Sequence, residues 1–381
     1  MKNVTNLFIG AALIVSMASC TKPEPSVFTP IADKIDTANY SKVIDGEQVS
    51  LFTLKSGKIG MKVTNYGARV VALCVPAKDG KPVDVALGYN SIDEYVNNKE
   101  YFFGAAIGRY GNRIGDARFK LDSVEYTLAA NDGKNHLHGG VKGYCDVVWK
   151  AKQLSESKIE FTYLSANGEE GYPGNLSITM TYELTPAGEF KIDYKATTDQ
   201  KTVCNLTNHT YFNLSGEGSE TINDHLLTFN ADNFTPVDST LIPTGEILPV
   251  AGTPMDFSKA TAIGERVDAD FAQLKYGKGY DHNWVINKKG EGVELAATVV
   301  SPVTGIKLEV LTDQPGIQFY GGNFLDAVVS GKSGKPYVFR SAFCLETQHY
   351  PDSPNKPEFP SVVLEPGQTY THTCIYKFSV Q

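Results

Sequence analysis

The chain has 381 residues, with 35 Lys and Arg against 43 Asp and Glu, a formal net charge of −8. Its 41% hydrophobic and 20% charged residues suffice for a large core and exclude global disorder. The acidic balance excludes a nucleic-acid partner, which needs clustered Lys and Arg to meet phosphates.

The chain opens with Met1-Lys2-Asn3, followed by an almost wholly apolar run from Leu7 to Ala18. That run is shorter than the ~20 residues needed to span a bilayer, and fits the apolar stretch of an export signal. It ends in Ser16-Met17-Ala18-Ser19-Cys20, which resembles a bacterial lipobox with Met17 where Leu is usual. Residues 1–20 are therefore expected to be a lipoprotein-type signal, with Cys20 the lipidated residue. Residues 21–42, rich in Pro, Ser and Thr at their start, are expected to be a tether. The expected location is outside the cytoplasm, in the periplasm or on the outer membrane of a bacterium, with membrane contact through Cys20 alone. The other cysteines are Cys74, Cys145, Cys204, Cys344 and Cys374, an odd number without metal spacing.

Residues 43–381 read as one domain. The 35 Gly and 19 Pro mark frequent turns, and 20 Tyr and 19 Phe favour strands. Lys58–Thr64 and Ala68–Leu73 are strand candidates, and Asp79-Gly80 marks a hairpin. Ser91-Ile92-Asp93-Glu94 is a capping box opening a short helix. Strands are expected at Lys158–Leu164, Asn175–Leu184 and Glu189–Thr197. They are expected again at Asp281–Ile286, Val293–Val300, Ile306–Leu311, Ile317–Tyr320 and Thr369–Val380. A second helix is expected within Ala262–Leu274. The fold class is all-β: a single large antiparallel β-sandwich with few short helices.

Five clusters are too polar for ordinary sandwich faces. Gly108-Arg109-Tyr110-Gly111-Asn112-Arg113-Ile114-Gly115 sets two arginines in a Gly-rich segment. Either forks onto a ligand or forms a structural salt bridge. Asn135-His136-Leu137-His138-Gly139-Gly140 places two histidines on one side of an extended chain, as a metal pair or as a substrate-binding residue with its support. The third is Asn205 to Leu214, containing His209 and Tyr211. The fourth is Gly279-Tyr280-Asp281-His282-Asn283-Trp284. The fifth is Ala342 to Pro351, containing Glu346. With Gln318 in Pro315 to Gly322, these amides, imidazoles, carboxylates and aromatic faces suit a polyhydroxylated ligand. No phosphate loop or convincing metal set accompanies them.

In this order the motifs resemble the aldose 1-epimerase (galactose mutarotase) family. They are Gly-Arg-x-x-Asn-Arg-Ile, Asn-x-x-His-Gly-Gly, Asn-His-x-Tyr-Phe-Asn-Leu, Tyr-Asp-His-Asn, Pro-Gly-Ile-Gln-Phe-Tyr and Leu-Glu-Thr-Gln. The resemblance runs from about Asn65 to the C-terminus. It implies the β-sandwich fold, a free monosaccharide such as glucose or galactose as substrate, and no metal or organic cofactor. It also implies Glu346 as general base and His209 as general acid, with Asn112, Arg113, His138, Tyr211, Asp281 and Gln318 holding the sugar. Trp284 lies where the family varies and is expected to tune the pocket.

The reaction opens a hemiacetal, so a base must take the C1 hydroxyl proton while an acid protonates the ring oxygen. A glutamate raised by burial and a histidine near its ordinary pKa are expected to serve. The alternatives are a non-catalytic carbohydrate-binding protein, an epimerase for a phosphorylated sugar, and a glycoside hydrolase using Asp281 and Glu346.

Overall fold

The computed structural model describes residues 1–2 and 26–381. All of the expected signal beyond Lys2, Cys20 included, lies outside the described residues.

The largest sheet has nine antiparallel strands. In spatial order they are Lys150–Gln153, Lys158–Ser165, Leu176–Thr185, Glu189–Thr198, Tyr370–Val380, Ile306–Thr312, Glu294–Val300, Leu226–Phe229 and Thr261–Ala262. Its long strands follow the expected runs to within a residue or two, because their apolar residues alternate. Along Leu176–Thr185, Leu176, Ile178, Met180, Tyr182 and Leu184 are buried, while the residues between them are more exposed. The inward set packs with Phe161, Phe190, Ile192 and Tyr376 in the main core. Fully burying an aliphatic or aromatic side chain of this size stabilises by roughly 1.5–3 kcal/mol.

Two further sheets close the sandwich. One has four strands, Leu51–Ser56, Ile59–Thr64, Arg69–Pro76 and Pro82–Asp84, the last two joined across the Asp79-Gly80 turn. The other has five, ordered Leu248–Pro249, Asn233–Thr235, Asp281–Val285, Gly316–Tyr320 and Cys344–Gln348.

Helices are short. Ile92–Asn97 begins at the expected capping box. Ser91 Oγ accepts the Glu94 N–H and donates to Glu94 Oε2 at 2.8 Å. The second expected helix is shorter than Ala262–Leu274. Only Ala272–Gly277 is α-helical, because Thr261–Ala262 is spent as a strand and Ile263–Glu265 as a 3₁₀ turn.

The tether expectation needs narrowing. Phe28, Ala32, Ile35 and Tyr40 are buried in a second core with Val71, Leu87 and Tyr95. The Phe28 ring lies against Gly60, where a Cβ would come within 2.7 Å of it. Lys62 also donates to the Ile35 carbonyl at 3.2 Å. The packed body therefore includes Val27 to Tyr40 and does not start at residue 43.

Among the described residues, no helix is long and apolar enough to cross a membrane. Cys74, Cys145, Cys204, Cys344 and Cys374 are all free thiols and buried.

Candidate active site

The five-stranded sheet shows how a period of two builds the site. Trp284, Ile317, Phe319 and Leu345 point to one face, into the main core. Asp281, Gln318, Cys344 and Glu346 point to the other. Register aligns them: Gln318 stands opposite Glu346 and Asn283, and Tyr320 stands opposite Asp281 and Cys344. The remaining groups arrive from elsewhere. His209 ends the short strand Thr207–His209, which pairs with Ala105–Ile107. Arg113 lies in the two-residue ladder of Arg113–Ile114 with His136–Leu137, paired with Leu137, and His138 follows it directly. Asn112 and His138 are left-handed, at φ 65° and 52°. The turn then needs Gly139, at φ 88°, since a Cβ there would lie 1.8 Å from the Gly108 carbonyl oxygen.

These residues line a cavity of about 390 Å³ that includes Asn112, Arg113, His138, His209, Tyr211, Asp281 and Glu346. The volume falls within the usual range for a small-molecule site. His209 Nε2 lies 3.6 Å from Glu346 Oε1. The rings of His138 and His209 meet edge to face at 5.1 Å. Asp281 is held from two sides: Gln318 donates to Oδ1 at 2.8 Å, and Arg113 Nη1 lies 3.7 Å from Oδ2. Arg113 Nε donates to Asp132 Oδ2 at 2.7 Å, so its guanidinium bridges two carboxylates.

Burial governs the protons. Glu346 is 1% exposed, and its Oε2 has no protein partner. Burial, reinforced by the charge of Asp281, raises its carboxyl well above the usual range, while Arg113 pulls the other way. Asp281 is raised by burial and pulled back by Arg113 and Gln318. Burial also lowers His209 to about 3, contrary to the expectation of an ordinary histidine pKa. Both shifts favour the neutral forms, a carboxylic acid beside a neutral imidazole. Ligand atoms of His138, His209 and Glu346 lie within 4.8 Å of one another. However, His138 Nδ1 accepts the Asn112 backbone N–H at 3.1 Å, so in the neutral ring Nε2 carries the hydrogen. That makes His138 a hydrogen-bond donor to the pocket rather than a metal ligand.

All eight sequence-derived site residues are brought together, Gln318 through its bond to Asp281. Two readings, of Trp284 and His136, are corrected, and the alternatives at Arg109 are resolved. Trp284 does not tune the pocket; it is wholly buried on the opposite sheet face, stacked 4.7 Å from Phe229. His136 does not share a side with His138, because the left-handed turn breaks the alternation. Its ring instead bonds Tyr172 and the Ala129 carbonyl. Arg109 is structural, tied to the carbonyls of Pro173, Gly174 and Ser165. Sequence reading missed Phe102, Asp132 and Phe324 among the lining residues. Asp132 had only its place in Asn131-Asp132-Gly133, which reads as a turn.

The aldose 1-epimerase family model matches residues 50–377. The chain belongs to the aldose 1-epimerase family. It is 46% identical over 332 residues to a galactose mutarotase of Sus scrofa, covering 87% of this chain and 94% of that one. To an aldose 1-epimerase of Escherichia coli it is 39% identical over 338 residues, covering 88% and 96%. A crystal structure of an aldose epimerase homologue from C. elegans superposes with a TM-score of 0.80 at 32% identity, covering 87% and 99%. The chain is thus an isomerase of the mutarotase type, acting on free sugars.

Proposed function

We propose that Glu346 and His209 are the proton-transferring pair that interconverts the α and β anomers of free aldohexoses such as glucose and galactose. The observation that carries this reading is the 3.6 Å approach of the two groups in one buried pocket. Ring opening starts with Glu346 ionised and His209 protonated. Glu346 takes the C1 hydroxyl proton, His209 protonates the ring oxygen, and the bond from C1 to that oxygen breaks. Rotation about C1–C2 presents the other aldehyde face, and reclosure reverses both transfers. The pair carries one proton throughout; burial favours the neutral arrangement that follows opening, so the proton passes from Glu346 to His209 before the next ring opens. Each turnover therefore restores the proton inventory without help from solvent. His138 Nε2–H and Arg113 face the same pocket, placed to stabilise charge that develops near the ring oxygen.

A non-catalytic binding module has no use for such a buried pair. The hydrolase alternative is weakened because Asp281 is held by Gln318 and Arg113 as a binding group. Polarimetry on freshly dissolved α-glucose and α-galactose tests the assignment. Glu346→Gln should lose most of the rate, and a wild-type rate in that variant would refute it.

The site of action follows from the N-terminal sequence. A lipidated Cys20 would lie seven positions before Val27, which packs on the second core, and would hold the enzyme close to a membrane and among incoming sugars. Metabolic labelling with a radioactive fatty acid should mark the wild type and not Cys20→Ser. Equal labelling, or none in either, would remove the anchor.

A further inference from the structure

The two imidazoles of the pocket differ in what meets their inner nitrogens. His138 Nδ1 accepts a backbone N–H, a donor that cannot reverse its role. His209 Nδ1 instead lies 3.3 Å from the Sγ of Cys344, while its Nε2 faces Glu346. Cys344 and Glu346 sit two residues apart on one strand, so the same sheet face presents both. Phe102, Tyr211 and Tyr320 pack around the His209 ring with centroids 5.8, 5.0 and 6.2 Å away.

A thiol both donates through its hydrogen and accepts through its sulfur. When an imidazolium gives up its Nε2 proton, Nδ1 keeps its own, so His209 Nδ1–H can donate to the Cys344 sulfur both before and after the transfer. We propose that Cys344 is a positioning residue whose thiol partners His209 Nδ1 in both proton states, so that Nε2 can give up and regain its proton without the ring turning. This rests on the reading of His209 as the proton carrier. A carboxylate in that place would favour the imidazolium, and a backbone amide would hold the ring neutral, as at His138. The neutral thiol, accepting through its sulfur, does neither. The asymmetry therefore assigns the moving proton to His209 and a fixed donor role to His138. Burial, with the charges of Glu346 and Asp281, pushes the Cys344 thiol well above its usual range and keeps it uncharged through turnover.

The test combines glucose mutarotation kinetics with ¹⁵N NMR of histidine-labelled enzyme, for wild type, Cys344→Ser and Cys344→Ala. In Cys344→Ala, kcat should fall roughly tenfold, the equivalent of one lost hydrogen bond, with KM within about twofold. The His209 Nδ1 resonance should move. Cys344→Ser keeps a group that donates and accepts, and should restore both readouts. The proposal is overturned if Cys344→Ala leaves the resonance in place, or if serine and alanine lower kcat alike. A His209→Gln enzyme with wild-type kcat would instead remove the catalytic reading, a failure told apart by an Nδ1 resonance that still responds to Cys344→Ala.

Discussion

His209 Nε2 and Glu346 Oε1 lie 3.6 Å apart at the meeting of two sheets, with both side chains almost fully buried. Burial drives the two pKa values past each other: the carboxyl goes up and the imidazole goes down. Two neutral groups sharing one proton can each serve as acid or base, which a reversible ring opening requires.

Glu346→Gln should reduce kcat by about 10²- to 10⁴-fold, the usual contribution of a positioned acid–base group. Binding should survive, since the amide keeps the size and polarity of the carboxyl. Stopped-flow polarimetry for rate and calorimetry for glucose affinity separate the two effects.

The same substitution should change how stability depends on pH. The Glu346 carboxyl is raised in the folded protein, so its contribution is fully present below the unfolded value near 4.3. As pH rises from there toward the folded value, the unfolded chain releases a proton that the folded chain keeps. Wild type should then lose about 1.4 kcal/mol per pH unit relative to Glu346→Gln. Urea midpoints of both proteins at several pH values check this, and a gap that stays constant contradicts it.

Arg113→Lys should retain the charge and lose the bridge between Asp132 and Asp281. Lysine cannot present two donors in a fixed fork. The expected cost is ~1.5–3 kcal/mol, or roughly a 10- to 150-fold fall in kcat/KM. Steady-state kinetics on glucose measure it.

Away from the pocket, Lys332 donates to Asp84 Oδ2 at 2.7 Å and to the carbonyls of Val71 and Ala86, with its side chain wholly buried. Lys332→Met leaves Asp84 without its cation and should destabilise by about 3–5 kcal/mol. Chemical denaturation reads the loss, and kcat at a permissive temperature should be unchanged.

Phe28→Ala tests whether the segment before residue 43 belongs to the folded body. Removing a buried ring should cost ~3 kcal/mol or more and free the segment before Tyr40 for proteolysis. Limited digestion followed by mass spectrometry should show new cuts there in the variant alone.

Strand positions were legible because alternation is a local signal. Leu176–Thr185 and Ile306–Thr312 declare their buried faces directly. The site was legible only as a set of motifs, since nothing local brings His209 to Glu346; sheet register and strand Thr207–His209 do that. The misreadings have physical causes. Parity along Asp281–Val285 already separates Trp284 from Asp281, but an aromatic beside an acid looks like a sugar platform. His136 and His138 would share a side only in extended chain, and the left-handed turn at His138 undoes that. Turn-like composition near Pro23 and Pro25 concealed the apolar spacing of Phe28, Ala32, Ile35 and Tyr40, which anchors the arm.

The most direct test of the central claim is the initial rate of α-glucose mutarotation by wild type, Glu346→Gln and His209→Gln under identical conditions. A rapid wild-type rate, with both variants close to the spontaneous rate, is expected. If either single variant keeps the wild-type rate, Glu346 and His209 are not the pair that moves the proton.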